Sequence, residues 1–158
     1  MADDVRPPAW VPVPAASSAA ARRRMQATRG RDTAPELALR RELHRRRLRY
    51  RVDMPVVPDL RRCADVVFPR ARLAVFVDGC FWHGCPQHAT SAKSNAAFWA
   101  AKIAANQARD ADTGRRLREV GWTVVRIWEH DTAEAAADHV HSVLRRIAEA
   151  GTAADLFP

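Results

Sequence analysis

The chain has 158 residues, 47% of them hydrophobic and 28% charged, a balance that builds one folded domain and excludes a disordered basic tail. Its apolar runs fall far short of the roughly 18 residues of a membrane-spanning helix. The formal net charge is +8, the three cysteines are an odd number, and the start carries Asp3 and Asp4; these features argue against a disulfide scaffold or a signal peptide and fit a reducing cytoplasm, where a basic chain meets polyanions.

In chain order, residues 1–16 hold four of the ten prolines and read as a flexible lead-in. A short helix is expected from Ser18 to Ala27. A second helix starts at Thr33, with Pro35 in its first turn and Glu36 three residues on, as in a capping box; Leu37, Leu39, Leu43 and Leu48 mark its apolar stripe through Arg47. Tyr50 to Val52 reads as a strand. Ala64–Phe68 and Leu73–Val77 read as core strands, and the short link Pro69–Arg72 predicts an antiparallel pair. A Cys/His-rich loop occupies 79–92. Residues 95–119 are helical in composition and predict two helices meeting near Asn106, stopped by Gly121. Trp122 to Trp128 is a last β-rich run, and Ala133 to Ala150 a closing helix. The order α–β–β–β–α–β–α predicts an α/β fold with a mixed central sheet flanked by helices: one domain over 17–150, followed by a tail over 151–158.

Two of the 26 cationic residues are lysines, Lys93 and Lys102; the rest are arginines. A codon bias explains the preference for arginine but not the clustering of Arg40, Arg41, Arg45, Arg46, Arg47, Arg49 and Arg51 within twelve residues. Such a cluster attracts nucleic acid by displacing condensed counterions; the plainer reading is a solvated helix face.

Cys80, Cys85 and His88 follow a C-x4-C-x2-H spacing, close enough to converge on one ion. Thiolate with imidazole favours tetrahedral zinc over the oxygen-loving divalents. His130, at the end of the last strand, is the best fourth ligand; the alternative is two buried thiols and two surface histidines. Asp65 interrupts an apolar strand, so it needs an arginine partner, a sheet edge or a hard cation such as Mg²⁺. Glu36 is already explained as a cap. His83 is not required by a four-ligand zinc site and is free to act as general base or acid. Phe81 and Trp82 on a metal-stiffened loop either wedge between base steps or pack into the core, and the same alternatives hold for Trp99.

The string Phe76-Val77-Asp78-Gly79-Cys80-Phe81-Trp82-His83-Gly84-Cys85 resembles the signature of the very-short-patch-repair (Vsr) DNA mismatch endonucleases. Arg31–Glu36 resembles that family's helix start and Ala64–Val67 its catalytic strand. Asn95–Asp110, Gly121-Trp122 and Ile127-Trp128-Glu129 continue the likeness in register. It implies a restriction-endonuclease-like (PD-(D/E)XK-type) core with a structural zinc. The implied activity is Mg²⁺-dependent nicking of double-stranded DNA on the 5′ side of the thymine in a T·G mismatch left by deamination of 5-methylcytosine. Carried over by position, Asp65 and the Val77 carbonyl would hold Mg²⁺, with two metals spanning the scissile phosphate. His83 would serve the attacking water, supported by Glu36. Phe81, Trp82 and Trp99 would enter from one groove and Met25 from the other, while Lys102 and Asn106 would contact the wobble pair. The usual lysine of such cores is missing from Phe76-Val77-Asp78, which leaves Asp78 without a role. The resemblance also implies a monomeric, nucleoid-associated cytoplasmic enzyme, with mismatch-repair proteins as expected partners. Two other readings share these residues: a zinc-stabilised DNA-binding module without catalysis, and a restriction-type nuclease that needs no mismatch.

Overall fold

The computed structural model of the chain describes residues 18, 19, 23, 30–57, 60–88 and 94–154, the side chains of 152–154 excepted. Of the first expected helix only Ser18, Ala19 and Arg23 are therefore described, and Met25 lies outside the described residues, as does most of the lead-in.

Proline in the first turn costs a helix only an N–H that has no intrahelical acceptor, and helix α1 (Ala34–Arg45) begins that way at Pro35. The capping box takes a different form from the expected one. Thr33 makes no side-chain bond to the helix backbone; its hydroxyl donates to Glu36 Oε1 at 2.9 Å, and Glu36 Oε2 accepts the Asp32 N–H at 2.9 Å. Leu39 and Leu43, four residues apart on one face, are fully buried.

Strands β1 (Arg51–Pro55), β2 (Cys63–Phe68) and β3 (Leu73–Asp78) form an antiparallel meander, and β4 (Thr123–Trp128) pairs parallel to β3, giving the order β1-β2-β3-β4. Pro69–Arg72 makes the tight β2–β3 turn, closed by Arg72 N–H to Pro69 O at 3.2 Å. Parallel pairing requires a crossover, which helix α2 (Ala96–Glu119) provides. It is one continuous helix of 24 residues where two were expected. The polar residues around Asn106 that look like a break belong instead to the stripe Trp99, Ile103, Asn106, Asp110, Thr113 and Leu117, whose 4-3 spacing turns one face of an unbroken helix toward the protein. Helix α3 (Ala133–Ala154) closes the fold and runs four residues beyond its expected end.

The sheet's two-residue period divides the core. Val66, Phe68, Leu73, Val75, Val125 and Ile127 meet α1 and α3 on one face, with Ala137 and Val140 fully buried. Val67 and Ala74 meet Leu117 of α2 on the other. No described helix is long and apolar enough to cross a membrane.

The described helices share a polarity. Helix α2 leaves the loop that follows β3 and ends just before β4 begins beside Arg72, and α3 starts just beyond the end of β4. The loops that carry the chemistry-bearing residues leave from the end of the sheet where β3 and β4 finish.

Candidate active site and metal centre

Alternation along the strands puts Asp78 and Phe76 of β3 and Arg126 of β4 on the face covered by α2. Asp65 of β2 joins them across the sheet: its Oδ2 accepts the Val77 N–H at 2.7 Å. Together with Glu36, His83, Asn106 and Asp110 they line a cavity of about 500 Å³. Sequence reasoning named Asp65, His83 and Glu36 as chemistry-bearing, and all three border this one cavity.

Asp65 is half-buried, and among the described residues no arginine bonds it. Burial pushes its carboxyl up to about 6, against the pull of the Val77 N–H, and the nearby charges of Glu36 and Asp78 push in the same direction. A carboxylate crowded by carboxylates, with one oxygen held by a backbone N–H, suits a hard cation with oxygen ligands.

His83 Nδ1 lies 2.5 Å from Asp110 Oδ2 and 3.7 Å from Asp78 Oδ1. Burial disfavours the imidazolium, but Asp110 and then Asp78 outweigh it and hold the histidine above its ordinary pKa. The expected supporting carboxylate was Glu36. Asp110 is the carboxylate bonded to His83, and Glu36 is bonded to Asp32, Thr33 and, at 3.1 Å, Arg40. Asp110 escaped attention as one acid among many on a polar helix; its position four residues beyond Asn106 on the inward stripe was the available signal.

Asp78, unexplained in the sequence, is 4% exposed and takes a two-pronged ion pair from Arg126, at 2.5 Å from Nε and 2.7 Å from Nη2. Arg126 Nη2 also reaches Asp110 Oδ1 at 3.0 Å, and the guanidinium lies 5.1 Å over the Phe76 ring. One arginine thus fixes both carboxylates that face His83. Against its burial, the His83 hydrogen bond first and then the Arg126 charge keep Asp110 below the usual carboxylate range.

Beside this cavity stands the Cys/His loop. One donor atom from each of Cys80, Cys85, His88 and His130 lies within 4.8 Å of every other. Cys80 Sγ is 3.1 Å and Cys85 Sγ 3.8 Å from His130 Nδ1, and Cys85 Sγ is 3.9 Å from His88 Nδ1. A tetrahedral ion with metal–sulfur and metal–nitrogen bonds of about 2.3 and 2.0 Å sets such edges at roughly 3.5 Å. The four residues fit one metal ion. Burial, the adjoining Cys85 thiol and Glu129 push the Cys80 thiol up to about 11, so two thiolates here call for a cation. Glu129, absent from the expected set, accepts the Cys80 N–H at 2.6 Å and ties the loop to the end of β4. Cys63, the third cysteine, is exposed and apart from this group.

The loop carries the aromatic residues outward. Phe81, Trp82 and Trp99 form an edge-to-face triangle with centroids 5.3, 5.4 and 5.7 Å apart, all three partly exposed. Asn106 Nδ2 donates to the Trp82 carbonyl at 2.9 Å, so part of its carboxamide is spent on holding the loop. Lys102 is exposed one turn before it on α2. Gly84 sits at φ +63°, and a Cβ there would fall 2.5 Å from Gln107 Nε2 and 3.0 Å from Ile103 Cγ2; the loop packs on α2 too closely for any side chain at this position. The arginine cluster is less free than its sequence suggests, since Arg40, Arg45 and Arg46 are engaged by Asp32, Glu36, Glu42 and Asp138.

A family model described as DNA mismatch endonuclease Vsr matches residues 16–88. The type II nicking enzyme V.NaeI of Lentzea aerocolonigenes is 39% identical over 134 residues, covering 81% of each chain. The type II nicking enzyme V.XorIIP of Xanthomonas oryzae pv. oryzae is 40% identical over 118 residues, 72% of this chain and 82% of its own. The DNA mismatch endonuclease Vsr of Escherichia coli is 37% identical over 108 residues, 66% of each.

Proposed function

This chain belongs to the Vsr family of DNA mismatch endonucleases, and on that premise we propose that it nicks one strand of duplex DNA on the 5′ side of the thymine in a T·G mismatch. The observation that carries the reading is the junction of two devices. The cavity holding Asp65, His83 and Asp110 opens directly beside the loop that displays Phe81 and Trp82.

A wobble pair is displaced and less well stacked than a Watson–Crick pair, so separating it from its neighbour costs less. Phe81, Trp82 and Trp99 offer flat apolar faces for the exposed bases, and their mutual packing keeps them from collapsing into the core. Met25, carried over from the family by position, would press from the opposite groove. Lys102 and the free carbonyl oxygen of Asn106 face the mispair.

Facing a carboxylate, which only accepts, His83 donates its Nδ1–H to Asp110 and leaves Nε2 with a lone pair. Nε2 takes the proton of the attacking water as the phosphorus–oxygen bond forms. Arg126 holds Asp110 and Asp78 in place through that transfer. Asp65, with the Val77 carbonyl and the negative field of Glu36, would hold the divalent cation, Mg²⁺ in this reading, which would supply Lewis-acid stabilisation of the phosphoryl charge, with a second ion in the same reading. Cys80, Cys85, His88 and His130 hold zinc as a structural ion that stiffens the loop. The restriction-endonuclease-like core, a cytoplasmic, monomeric enzyme and recruitment of mismatch-repair proteins belong to the same reading.

The test is Asp65→Ala assayed on a T·G duplex in Mg²⁺. Affinity for the duplex is retained and nicking is lost; undiminished nicking removes Asp65, and with it the proposed chemistry.

A further inference from the structure

Around the cavity most of the described arginines are committed: Arg31 to Asp53, Arg40 to Asp32 and Glu36, Arg62 to Asp112, Arg126 to Asp78 and Asp110, while exposed Arg109 on the cavity wall and Lys102 nearby on α2 remain for the DNA seated there. At the other end of the sheet stand Arg47, Arg49, Arg51, Arg70, Arg72 and Arg118, all exposed. Among the described residues none of these six has an acidic partner. The register gathers them there. Arg51 pairs with Val67, just before the Pro69–Arg72 turn, and the Arg72 carbonyl accepts the Thr123 N–H at 2.8 Å beside the end of α2. The Arg72 guanidinium lies against Gly121, three residues beyond Arg118.

Helix dipoles explain only part of this. A cation at a helix C-terminus is favourable, which accounts for Arg47 and Arg118. Arg49, Arg51, Arg70 and Arg72 lie on a linker, a strand and a turn, where no helix end requires them. From Leu73 to Asp78 the strand spans five residue steps, roughly 17 Å, and that length separates the arginines' end of the sheet from the cavity.

We infer that this end of the molecule is a second nucleic-acid surface, which holds the phosphates of another DNA segment while the cavity engages the first. Guanidinium groups pair with phosphates in this manner. The large apolar side chains exposed there are two isolated valines, Val52 and Val120, whereas a protein partner needs an apolar or aromatic anchor. Two surfaces let the enzyme pass from one segment to another without releasing DNA, a search device suited to rare lesions. The inference rests on the family's action on DNA and not on the choice of mismatch.

The experiment uses the whole metal-loaded chain, Ca²⁺ in place of Mg²⁺ to prevent cleavage, and a short duplex carrying one T·G pair. The wild type binds two duplexes per chain by native mass spectrometry. Its release of a labelled duplex speeds up roughly threefold or more as unlabelled duplex rises from about 1 to about 100 µM, the range of ordinary non-specific affinity. The combined variant Arg49→Gln, Arg70→Gln, Arg72→Gln, Arg118→Gln binds one duplex, loses the competitor effect and nicks the short duplex in Mg²⁺ as fast as wild type. The matching Arg→Lys set restores the second duplex. A wild type that takes one duplex and releases it at a competitor-independent rate overturns the inference. So does a Gln set that slows nicking of the short duplex, since the arginines would then belong to the substrate footprint, or occupancy of this end by polyglutamate but not by duplex. If no protein nicks, the proposed reaction fails while the duplex stoichiometry still decides the second surface.

Discussion

At the scale of single residues, the account depends on charges held where water would normally relieve them. The Asp65 carboxyl, at about 6 in the fold against 3.8 in a free chain, is a stability cost that function imposes. Its sign follows from proton linkage: the folded form binds the proton more tightly, so the cost is absent below about pH 4, where the carboxyl is protonated folded or unfolded, grows as pH rises and is complete above about 6. Asp65→Asn, measured by urea unfolding in chelator, therefore leaves stability unchanged at pH 4. At pH 8 it raises stability by about 1 to 3 kcal/mol, the upper figure being the full shift and the lower allowing for the group's partial exposure. It abolishes nicking in Mg²⁺. The His83–Asp110 pair makes an opposite use of charge. Asp110 raises the histidine's pKa, and a base must be neutral to act, so the acid limb of the nicking rate sits above the histidine's ordinary 6.5. In Asp110→Asn that limb moves to lower pH while the plateau falls by roughly tenfold or more; an unmoved limb would separate His83 from the proton transfer. The unlikeness of Asp65 to its strand was legible in the sequence because an acid among Val and Phe needs a reason. Asp110 and Arg126 were not, since a charged residue on a polar helix or an alternating strand needs none until its neighbours are known.

At the scale of elements, what holds the site is a loop pinned at three places: to β4 by Glu129 and His130, to α2 by Asn106 and Gly84, and to itself by Cys80 and Cys85. The strands and turns were readable because a two-residue apolar period and the Pro69 turn leave few alternatives, and the antiparallel β2–β3 pair stands in the structure as expected. Helix α2 was misjudged for a physical reason. Its middle faces the cavity, and there polar side chains replace the apolar ones on which periodicity depends. The pinning has measurable consequences. Gly84→Ala places a Cβ against Ile103 and Gln107 and forces an unfavourable left-handed conformation that alone costs about 1 to 2 kcal/mol; calorimetry should show a lower Tm with slower nicking. His130→Ala removes one of four donors, so metal content per chain, measured after dialysis against a weak chelator, drops below the single equivalent expected of wild type. An unchanged content would place the fourth ligand elsewhere.

At the scale of the whole molecule, the fold has two unlike ends. Helix N-termini and the sheet's outgoing loops gather acids, the histidine and the aromatic triangle at one, while exposed arginines with no acidic partner among the described residues collect at the other. A sequence read along its length shows the arginine cluster but not its division into paired and free members, which is set by the acids along α1 and, for Arg46, by α3 lying beside it. The first end carries the central claim, that weak stacking at a wobble pair admits the aromatic loop and brings the neighbouring phosphate to Asp65 and His83. The most direct measurement is single-turnover nicking in Mg²⁺ of two duplexes identical but for T·G or T·A at one position, each strand labelled in turn. The account predicts a single cut, 5′ of the mispaired thymine and confined to its strand, with the T·A duplex slower by roughly a hundredfold, the equivalent of a few kcal/mol of unstacking cost. Equal cutting of both duplexes, or of both strands, would contradict it.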